Sequence, residues 1–184
     1  PCTVLYDYEN AFPTILHVWL FLVILCIGWP GELISIVHAL YTCINAFSSG
    51  VGTNSYLFDV VGGVRIGCPL SSLLFLLGIN PIVDLINMLS DGPRLSVTCL
   101  CADDFGSALA ALRGIKIQAS IFSLAARTYG LHLKPRKCVI IVAGVELTEG
   151  LRELVVQWLR DHVPSFQDLA IRSSGKYLGW YLGR

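Results

Sequence analysis

The stretch of sequence that decides the fold is residues 95–109, which read LSVTCLCADDFGSAL. Two apolar runs, residues 95–101 and 105–109, are separated by only a few positions, which predicts two strands joined in a hairpin. Asp103 and Asp104 then lie at its tip. Such a pair is often an ordinary polar turn, but apolar strands on both sides place it at the rim of a sheet, where a third carboxylate from another strand can join it.

Asp7 is the candidate for that third carboxylate. It follows an apolar strand predicted for residues 1–6 and precedes a helix, so an adjacent-strand arrangement would bring it beside Asp103. Three carboxylates in one place can hold two divalent cations about 3.5 to 4 Å apart. Mg²⁺ suits such hard oxygen ligands.

The rest of the chain alternates between predicted helices and strands. Helices are predicted at residues 15–27, 32–47, 68–89, 112–129 and 151–159, further strands at 56–61, 138–142 and 176–182, and turns at 48–54 and 91–93. The alternation predicts an α/β or α+β sheet covered by helices, in a single domain spanning residues 1–184. Because the chain begins inside its first strand, we expect it to be a truncated fragment of a longer protein.

The apolar run from Ile15 to Trp29 is a candidate for a membrane span. It is shorter than the roughly 20 residues that a bilayer requires, it contains His17, and no Lys or Arg precedes Arg65 to orient it. A buried helix, and no membrane partner, is therefore the prediction. A membrane-associated protein built on the apolar residues 15–47 remains the alternative from another class.

The charge distribution and the cysteine content restrict the possible functions further. The formal net charge is zero, which is unusual for a self-sufficient nucleic-acid binder. Twelve of the thirteen basic residues lie from Arg94 onward, and Lys134, Arg136 and Lys137 share one short loop. Any attraction for nucleic acid would therefore come from the C-terminal half. Seven cysteines without metal-site spacing indicate reduced thiols in an intracellular protein, in the cytoplasm or the nucleus.

Five segments, taken in chain order, resemble the five catalytic motifs of reverse transcriptases. They are DYENAF (7–12), GVRIGCPLS (63–71), CADD (101–104), YGLHLKPRKC (129–138) and KYLG (176–179). One such match would be weak, but five in the family's order are specific. The GCPLS core of the second segment is most similar to non-LTR (LINE-type) retrotransposons.

The resemblance implies a polymerase palm, which is a ferredoxin-like antiparallel sheet backed by helices. It implies an RNA-directed DNA polymerase that performs two-metal nucleotidyl transfer in retrotransposition and DNA integration. The partners would be an RNA template, a DNA primer and deoxynucleoside triphosphates. Fingers and thumb segments of the same polyprotein are expected outside residues 1–184.

The resemblance also implies roles for individual carboxylates. Asp7 and Asp103 would be the principal catalytic metal ligands, and Asp104 would occupy the same site in a less stringent role. The expected cofactor is a pair of Mg²⁺ ions, with Mn²⁺ as an alternative. One ion would activate the primer 3′-hydroxyl, and the other would stabilise the leaving pyrophosphate.

Five further residues would bind substrate according to the resemblance. Phe12 would be a steric gate against a 2′-hydroxyl, although a core aromatic is the alternative. Arg65 and Gly67 would lie near the nucleotide and the templating pair, with an exposed loop charge as the alternative for Arg65. Lys137 would lie near the leaving phosphates or be a solvated lysine, and Lys176 would belong to a hairpin that grips the primer.

Four positions depart from the family pattern. Pro13 and Ser72 stand where an aspartate and a proline are commoner after the first and second motifs. Ile66 stands where the second motif usually has glutamine, whose amide contacts the bound nucleotide. Cys101 stands where an aromatic residue usually precedes the Ala-Asp-Asp sequence. The alternative function is accordingly an inactive, decayed retroelement-derived palm without catalysis.

Overall fold

A computed structural model of the chain describes residues 1–50, 53–90 and 96–183. Its helices are α1 (Ala11–Thr14), α2 (His17–Ile27), α3 (Gly31–Tyr41), α4 (Ser71–Leu89), α5 (Arg113–Tyr129) and α6 (Glu149–His162). Its strands are β1 (Cys2–Tyr6), β2 (Asn45–Gly50), β3 (Thr53–Asp59), β4 (Ser96–Cys101), β5 (Asp104–Leu109), β6 (Val139–Val142), β7 (Ala170–Arg172), β8 (Ser174–Tyr177) and β9 (Trp180–Gly183).

The chain divides into two compact units. The first unit comprises Pro1–Ala11 and Ile79–Arg184, and the second comprises Phe12–Gly78. The expectation that residues 1–184 form one domain stays a prediction, and the two units are described separately below.

Within its described residues, the first unit is built on a five-stranded sheet in the order β4-β5-β1-β6-β7. All neighbours in this sheet are antiparallel except β6 and β7, which are parallel. β1 lies at the centre because nearly all of its residues are apolar, and four of its five side chains are buried. The predicted α+β fold, a mostly antiparallel sheet backed by helices, is confirmed.

Helix α5 packs on one face of this sheet through an aromatic cluster. The ring of Phe122 lies 4.6 Å from that of Tyr6 and 5.2 Å from that of Phe105, measured between centroids. The helix ends at Tyr129, and Gly130 forms its C-cap with a φ of 76°. These rings form the core beneath the ends of β1 and β5.

Strand β4 buries its polar residues rather than its apolar ones. Ser96 and Thr98 are buried, whereas Val97 is half exposed. Hydrogen bonds stabilise these buried polar side chains. Thr98 Oγ1 lies 2.9 Å from Ser107 Oγ, and Nε2 of the buried Gln118 donates to both hydroxyls. Val97 and Cys99 of the strand therefore face away from α5, whereas Leu100 shares the face of Thr98.

The outer edge of β4 is capped by a side chain of α4. Asn87 Nδ2 donates to Thr98 O at 3.2 Å, and Thr98 N donates to Asn87 Oδ1 at 3.0 Å. This pair of hydrogen bonds satisfies backbone groups that an edge strand would otherwise expose. It also anchors the C-terminal half of α4 to the sheet.

The second unit contains α2, α3 and the hairpin formed by β2 and β3. The helix predicted for residues 32–47 ends at Tyr41, and residues from Asn45 onward pair with β3 instead. Cys43, with a φ of 56°, makes the change of direction. Most of the turn predicted at residues 48–54 is thus strand, and residues 51–52 lie outside the described residues. The turn predicted at residues 91–93 also lies outside the described residues.

The apolar run from Ile15 forms a shorter helix than predicted, and it is only partly buried. In α2, Leu20 and Ile24 are fully buried, but Val18 is 79% exposed and Leu25 is 58% exposed. With 11 residues, α2 is too short to cross a bilayer.

Helix α4 is the described helix whose length and composition would allow it to cross a membrane. This is weak evidence, because the core helix of a soluble protein passes the same test. The hydrogen bonds from Asn87 to β4 indicate a role in packing. The helix begins at Ser71 rather than at the predicted residue 68, because residues 68–70 form a turn in which Ser71 N donates to Cys68 O at 3.0 Å.

The C-terminal segment also differs from the prediction. Residues 176–182 were expected to form one strand, but β8 and β9 form a hairpin joined at Leu178 and Gly179, both of which have positive φ. A glycine at the second position permits this tight turn.

Candidate active site

The sheet register places Asp7 and Asp104 next to each other. Tyr6 pairs with Phe105 as the last pair between β1 and β5. Asp7 follows Tyr6 and Asp104 precedes Phe105, so the two aspartates leave the ends of adjacent antiparallel strands side by side. The predicted neighbour relation of these strands is confirmed, but Asp104 rather than Asp103 is in line with Asp7.

Asp103 lies in the two-residue turn between β4 and β5. Cys101 pairs with Asp104 across the hairpin, which leaves Ala102 and Asp103 as the turn residues. Ala102 has a φ of 55°, a conformation that is unfavourable for a residue with a Cβ. Strained backbone of this kind often lies at functional sites. The turn presents the Asp103 side chain, which is exposed, beyond the edge of the sheet.

Asp104 is affected by its burial and by the two neighbouring carboxylates. Partial burial raises the pKa of Asp104, and the negative charges of Asp103 and Asp7 raise it further. Among the described residues, no group of three or more His, Cys, Asp or Glu side chains is arranged to hold a metal ion. The metal-binding roles of Asp7, Asp103 and Asp104 therefore stay predictions, but crowded negative charge is the condition that a bound cation relieves.

Lys137 contacts the first aspartate. Its Nζ lies 3.9 Å from Asp7 Oδ1, and both side chains are about half exposed. An ion pair in that environment contributes little to stability. Its position is nevertheless informative, because it places a cation of the fourth motif against the carboxylate of the first.

The backbone of Asp7 is held by the loop that carries the fourth motif. Lys134 N donates to Asp7 O at 2.8 Å, and Asp7 N donates to Cys138 Sγ at 3.4 Å. Burial raises the pKa of the Cys138 thiol to about 11, so it remains a neutral thiol at physiological pH. This role of Cys138 was not predicted from the sequence, because a buried cysteine carries no signal of its own.

Tyr177 contacts the strand that carries Asp104. Its hydroxyl donates to Asp104 O at 3.4 Å, and its ring covers Gly106, where an added Cβ would lie 3.2 Å from the ring. Burial raises the pKa of Tyr177, and the neighbouring Cys99, Asp104 and Cys101 raise it further. A glycine inside a strand often marks such a close approach. Gly106 is therefore the residue from which a close contact on β5 could have been predicted.

Lys176, the predicted primer-gripping residue, precedes Tyr177 in β8. It is exposed and pairs with Tyr181 across the hairpin. The first unit thus brings Asp7, Asp104 and Lys137 together, and it joins the fifth motif to this site through Tyr177.

Phe12, Arg65 and Gly67 belong to the second unit. Phe12 is half buried and stacks on the buried Phe75, with ring centroids 4.4 Å apart, so one of its faces is already packed. Phe12 O also accepts a hydrogen bond from Val64 N at 2.8 Å, which joins the first and second motifs. Its role as a steric gate stays a prediction.

Hydrogen bonds to the backbone of Arg65 fix the conformation of the loop of the second motif. Arg65 N donates to Tyr41 Oη at 3.2 Å, and Arg65 O accepts from Cys68 N and from Ser71 Oγ. Gly67 has a φ of 85° with open space around it, so its conformation requires glycine and leaves room for a ligand. Ile66 is 95% exposed, an unusual position for a large apolar side chain.

Gly63, at the start of the same motif, was not predicted to be a structural position. It has a φ of 88°, and a Cβ there would lie 2.6 Å from Pro13 O. Gly63 N also donates to Ile15 O at 2.7 Å. The glycine is therefore required for the close approach of residues 12–15 to the second motif.

The raised pKa of Asp104 predicts a pH-dependent stability. Because folding raises this pKa, the ionised carboxylate opposes folding, and this unfavourable contribution disappears as the pH falls through the raised pKa toward the ordinary value. Asp104→Asn is therefore expected to raise Tm at about pH 7 and to change it little at about pH 3. Thermal unfolding followed by circular dichroism at both pH values measures this effect.

The matched control for this prediction is Glu153→Gln. Glu153 is an exposed carboxylate within α6, away from both ends of the helix. It should show no gain in Tm at either pH. A lower Tm for Asp104→Asn at about pH 7 would contradict the assigned charge repulsion.

Comparisons with known proteins give matches among solved structures. No protein-family model matches the chain, and no curated protein does. Apo telomerase from Candida tropicalis matches with a TM-score of 0.69 and 12% identity, over 99% of this chain and 30% of that one. The same telomerase truncated from its C-terminal domain gives 0.67 and 12%, over 99% and 34%.

Telomerase from Candida albicans in complex with a TWJ fragment of telomeric RNA gives a TM-score of 0.64 and 11% identity, over 99% of this chain and 29% of that one. The chain thus spans about a third of the length of these structures. At such identities the likeness concerns the fold alone. The chain therefore shares the fold of the matching region of these telomerase structures.

Proposed function

We propose that this chain is the palm of an RNA-directed DNA polymerase of the non-LTR retrotransposon type. The observation that carries the proposal is the register that sets Asp7 beside Asp104 at the ends of β1 and β5. The order of the five motif segments and the fold shared with telomerase support it. The reaction is the attack of a primer 3′-hydroxyl on the α-phosphate of a deoxynucleoside triphosphate, which releases pyrophosphate.

Asp7, Asp103 and Asp104 would hold Mg²⁺. The fit rests on the donor set of hard carboxylate oxygens and on the position of Asp104, whose pKa is raised by partial burial and then by the negative charges of Asp103 and Asp7. When bound, two such ions supply charge stabilisation to the attacking and leaving oxygens. The protein itself mainly positions these carboxylates, through the hydrogen bonds that hold the Asp7 backbone and through the tight turn at Asp103.

Other side chains would handle the substrates. In this proposal Lys137, adjacent to Asp7, neutralises or protonates the departing pyrophosphate. The exposed face of Phe12 excludes a 2′-hydroxyl, and the open backbone at Gly67 lets the templating base pair approach. The hairpin of Lys176 and Tyr177 would hold the end of the primer near Asp104.

The proposal implies partners and a setting. An RNA template, a DNA primer and deoxynucleoside triphosphates would be bound together with fingers and thumb segments of the same polyprotein. The reaction would take place inside the cell, during the copying and integration of a retroelement.

Primer extension tests the proposed function. The full-length protein that carries this chain is incubated with a primed RNA template, Mg²⁺ and deoxynucleotides, and extension products are resolved by electrophoresis. Extension that follows the template sequence and prefers deoxynucleotides is expected. Products that ignore the template, or a preference for ribonucleotides, would contradict the proposal.

An inactive palm is the second candidate function, and the observation that favours it is Ile66. This side chain is 95% exposed and cannot donate or accept a hydrogen bond. In such a copy the fold would persist without catalysis. The following substitution separates this candidate from the first.

Ile66→Gln is expected to raise the rate of nucleotide incorporation. A hydrogen bond to bound ligand contributes about 0.5 to 1.5 kcal/mol net, which corresponds to roughly two- to tenfold in catalytic efficiency. Steady-state incorporation on a primed RNA template measures the gain. Ile66→Met, which has a similar size and lacks the amide, is the matched control and should leave efficiency unchanged. No gain with glutamine would favour the inactive palm.

A further inference from the structure

Two cysteine thiols project from the exposed face of β4, the strand that leads into the turn of Asp103. Cys99 and Cys101 are both free and exposed. They are two positions apart, and alternate residues of a strand point to the same face of a sheet. The two thiols therefore lie side by side, on the face opposite to that of the buried Thr98.

A tyrosine ring, rather than a cross-strand side chain, lies beside these thiols. Cys99 pairs with Gly106 across the hairpin, and Cys101 pairs with Asp104. Gly106 has no side chain to occupy the position opposite Cys99, and the ring of Tyr177 lies over it instead. Burial raises the pKa of Tyr177, and the two cysteines and Asp104 raise it further. Tyr177 therefore borders both thiols.

The spacing of the two thiols disfavours a disulfide. Residues two apart on an antiparallel strand are separated by about 6.8 Å, and side chains on one face stand roughly parallel. The Cβ atoms of Cys99 and Cys101 are therefore separated by a similar distance. A disulfide requires Cβ atoms about 3.5 to 4.5 Å apart, so β4 would have to bend for one to form.

The same spacing suits an ion held between two sulfurs. Thiolate–metal bonds are about 2.3 Å long, so sulfurs on opposite sides of an ion lie about 4.6 Å apart. Rotation about χ1 turns both sulfurs toward each other and closes the difference from about 6.8 Å. Zn²⁺ requires four ligands, and the described residues contain no group of three or more His, Cys, Asp or Glu side chains arranged to hold a metal ion. An ion that is satisfied by two soft ligands fits instead.

We propose that Cys99 and Cys101 together bind Cu⁺. Soft thiolate ligands select this ion, and two thiolates in a near-linear arrangement complete its coordination. Both thiol protons pass to the solvent on binding. Cys101 is one of the positions that depart from the reverse transcriptase pattern, so the site lies outside the machinery of the proposed polymerase and does not depend on that function.

The test is an anaerobic titration with Cu⁺ against bathocuproine disulfonate, a chelator that becomes coloured when it binds this ion. The full-length protein is compared with a double variant, Cys99→Ser with Cys101→Ser, which keeps the size of both exposed side chains. The unaltered protein should withdraw one more equivalent of Cu⁺ from the chelator than the double variant does. Either single substitution should weaken the binding of this equivalent by about 10²- to 10⁴-fold, because it removes a second ligand whose effective concentration is high.

The matched control removes two exposed cysteines from elsewhere in the chain. Cys26→Ser with Cys43→Ser takes one thiol from α2 and one from the segment that follows α3. This variant should bind as many equivalents of Cu⁺ as the unaltered protein, with the same affinity. Circular dichroism verifies that the variants are folded. X-ray absorption at the copper edge should show two sulfur neighbours for the equivalent that the site variant loses.

Three outcomes would overturn the proposal. The site variant could withdraw as much Cu⁺ as the unaltered protein, or the control variant could lose as much as the site variant, which would indicate indiscriminate binding to thiols. Either single variant could also retain the affinity within about tenfold, which would mean that one thiol holds the ion. Nucleotide incorporation enters none of these measurements, so the proposed function is tested separately.

Discussion

Replacing Asp103 by asparagine is expected to lower nucleotide incorporation by at least about a thousandfold, which corresponds to about 4 kcal/mol of lost transition-state stabilisation. The substitution removes one negative charge from the proposed metal site and keeps the size of the side chain. Metal ions in two-metal sites stabilise charge on both the attacking and the leaving oxygens, so a weakened site affects the chemical step directly. Single-turnover incorporation on a primed RNA template measures the loss.

The fold should survive this change. Asp103 is exposed in a turn and makes no hydrogen bond that the sheet requires, so the free energy of unfolding should change by no more than about 0.5 kcal/mol. Asp161→Asn is the matched control, because it removes an exposed carboxylate on α6, and it should retain full activity. Activity of Asp103→Asn within about tenfold of the unaltered protein would remove Asp103 from the catalytic site.

The aspartate pair shows how far the sequence alone could lead. Apolar runs on both sides of Asp103 and before Asp7 predicted strands, and antiparallel pairing of those strands brings their polar ends together. The local pattern could not give the register, because a shift of one residue changes which aspartate faces Asp7. That register depends on tertiary packing of Tyr6 and Phe105 against Phe122.

The inverted face of β4 was not predictable from its own residues. Thr98 is buried while Val97 is half exposed, because the buried Gln118, 20 positions away, donates to the Thr98 hydroxyl. The helix predicted across residues 42–47 failed for a similar reason, since pairing of β2 with β3 outweighs local helix propensity. In both cases a partner distant in sequence decided the local structure.

The buried network around Gln118 gives the second large expected effect. Gln118 is fully buried, accepts a hydrogen bond from Tyr6 Oη at 2.5 Å and donates to Ser107 and Thr98. Gln118→Met keeps the volume but leaves the Tyr6 hydroxyl without an acceptor. An unsatisfied buried group costs about 1 to 3 kcal/mol. The hydroxyls of Thr98 and Ser107 also lose the donor that Gln118 supplies. We therefore expect the free energy of unfolding to fall by about 2 to 4 kcal/mol.

Urea unfolding of Gln118→Met measures that loss, and Gln157→Met on the exposed face of α6 is the matched control, which should stay within about 0.5 kcal/mol of the unaltered protein. A double-mutant cycle with Tyr6→Phe identifies the cause. Alone, Tyr6→Phe should destabilise, because it leaves Gln118 Oε1 without its donor. In the Gln118→Met background it should be neutral or stabilising, because it removes the orphaned hydroxyl. If the losses from Tyr6→Phe and Gln118→Met simply add in the double variant, the hydrogen bond between the two residues contributes nothing. Packing alone would then hold β1, the strand that ends at Tyr6 immediately before Asp7.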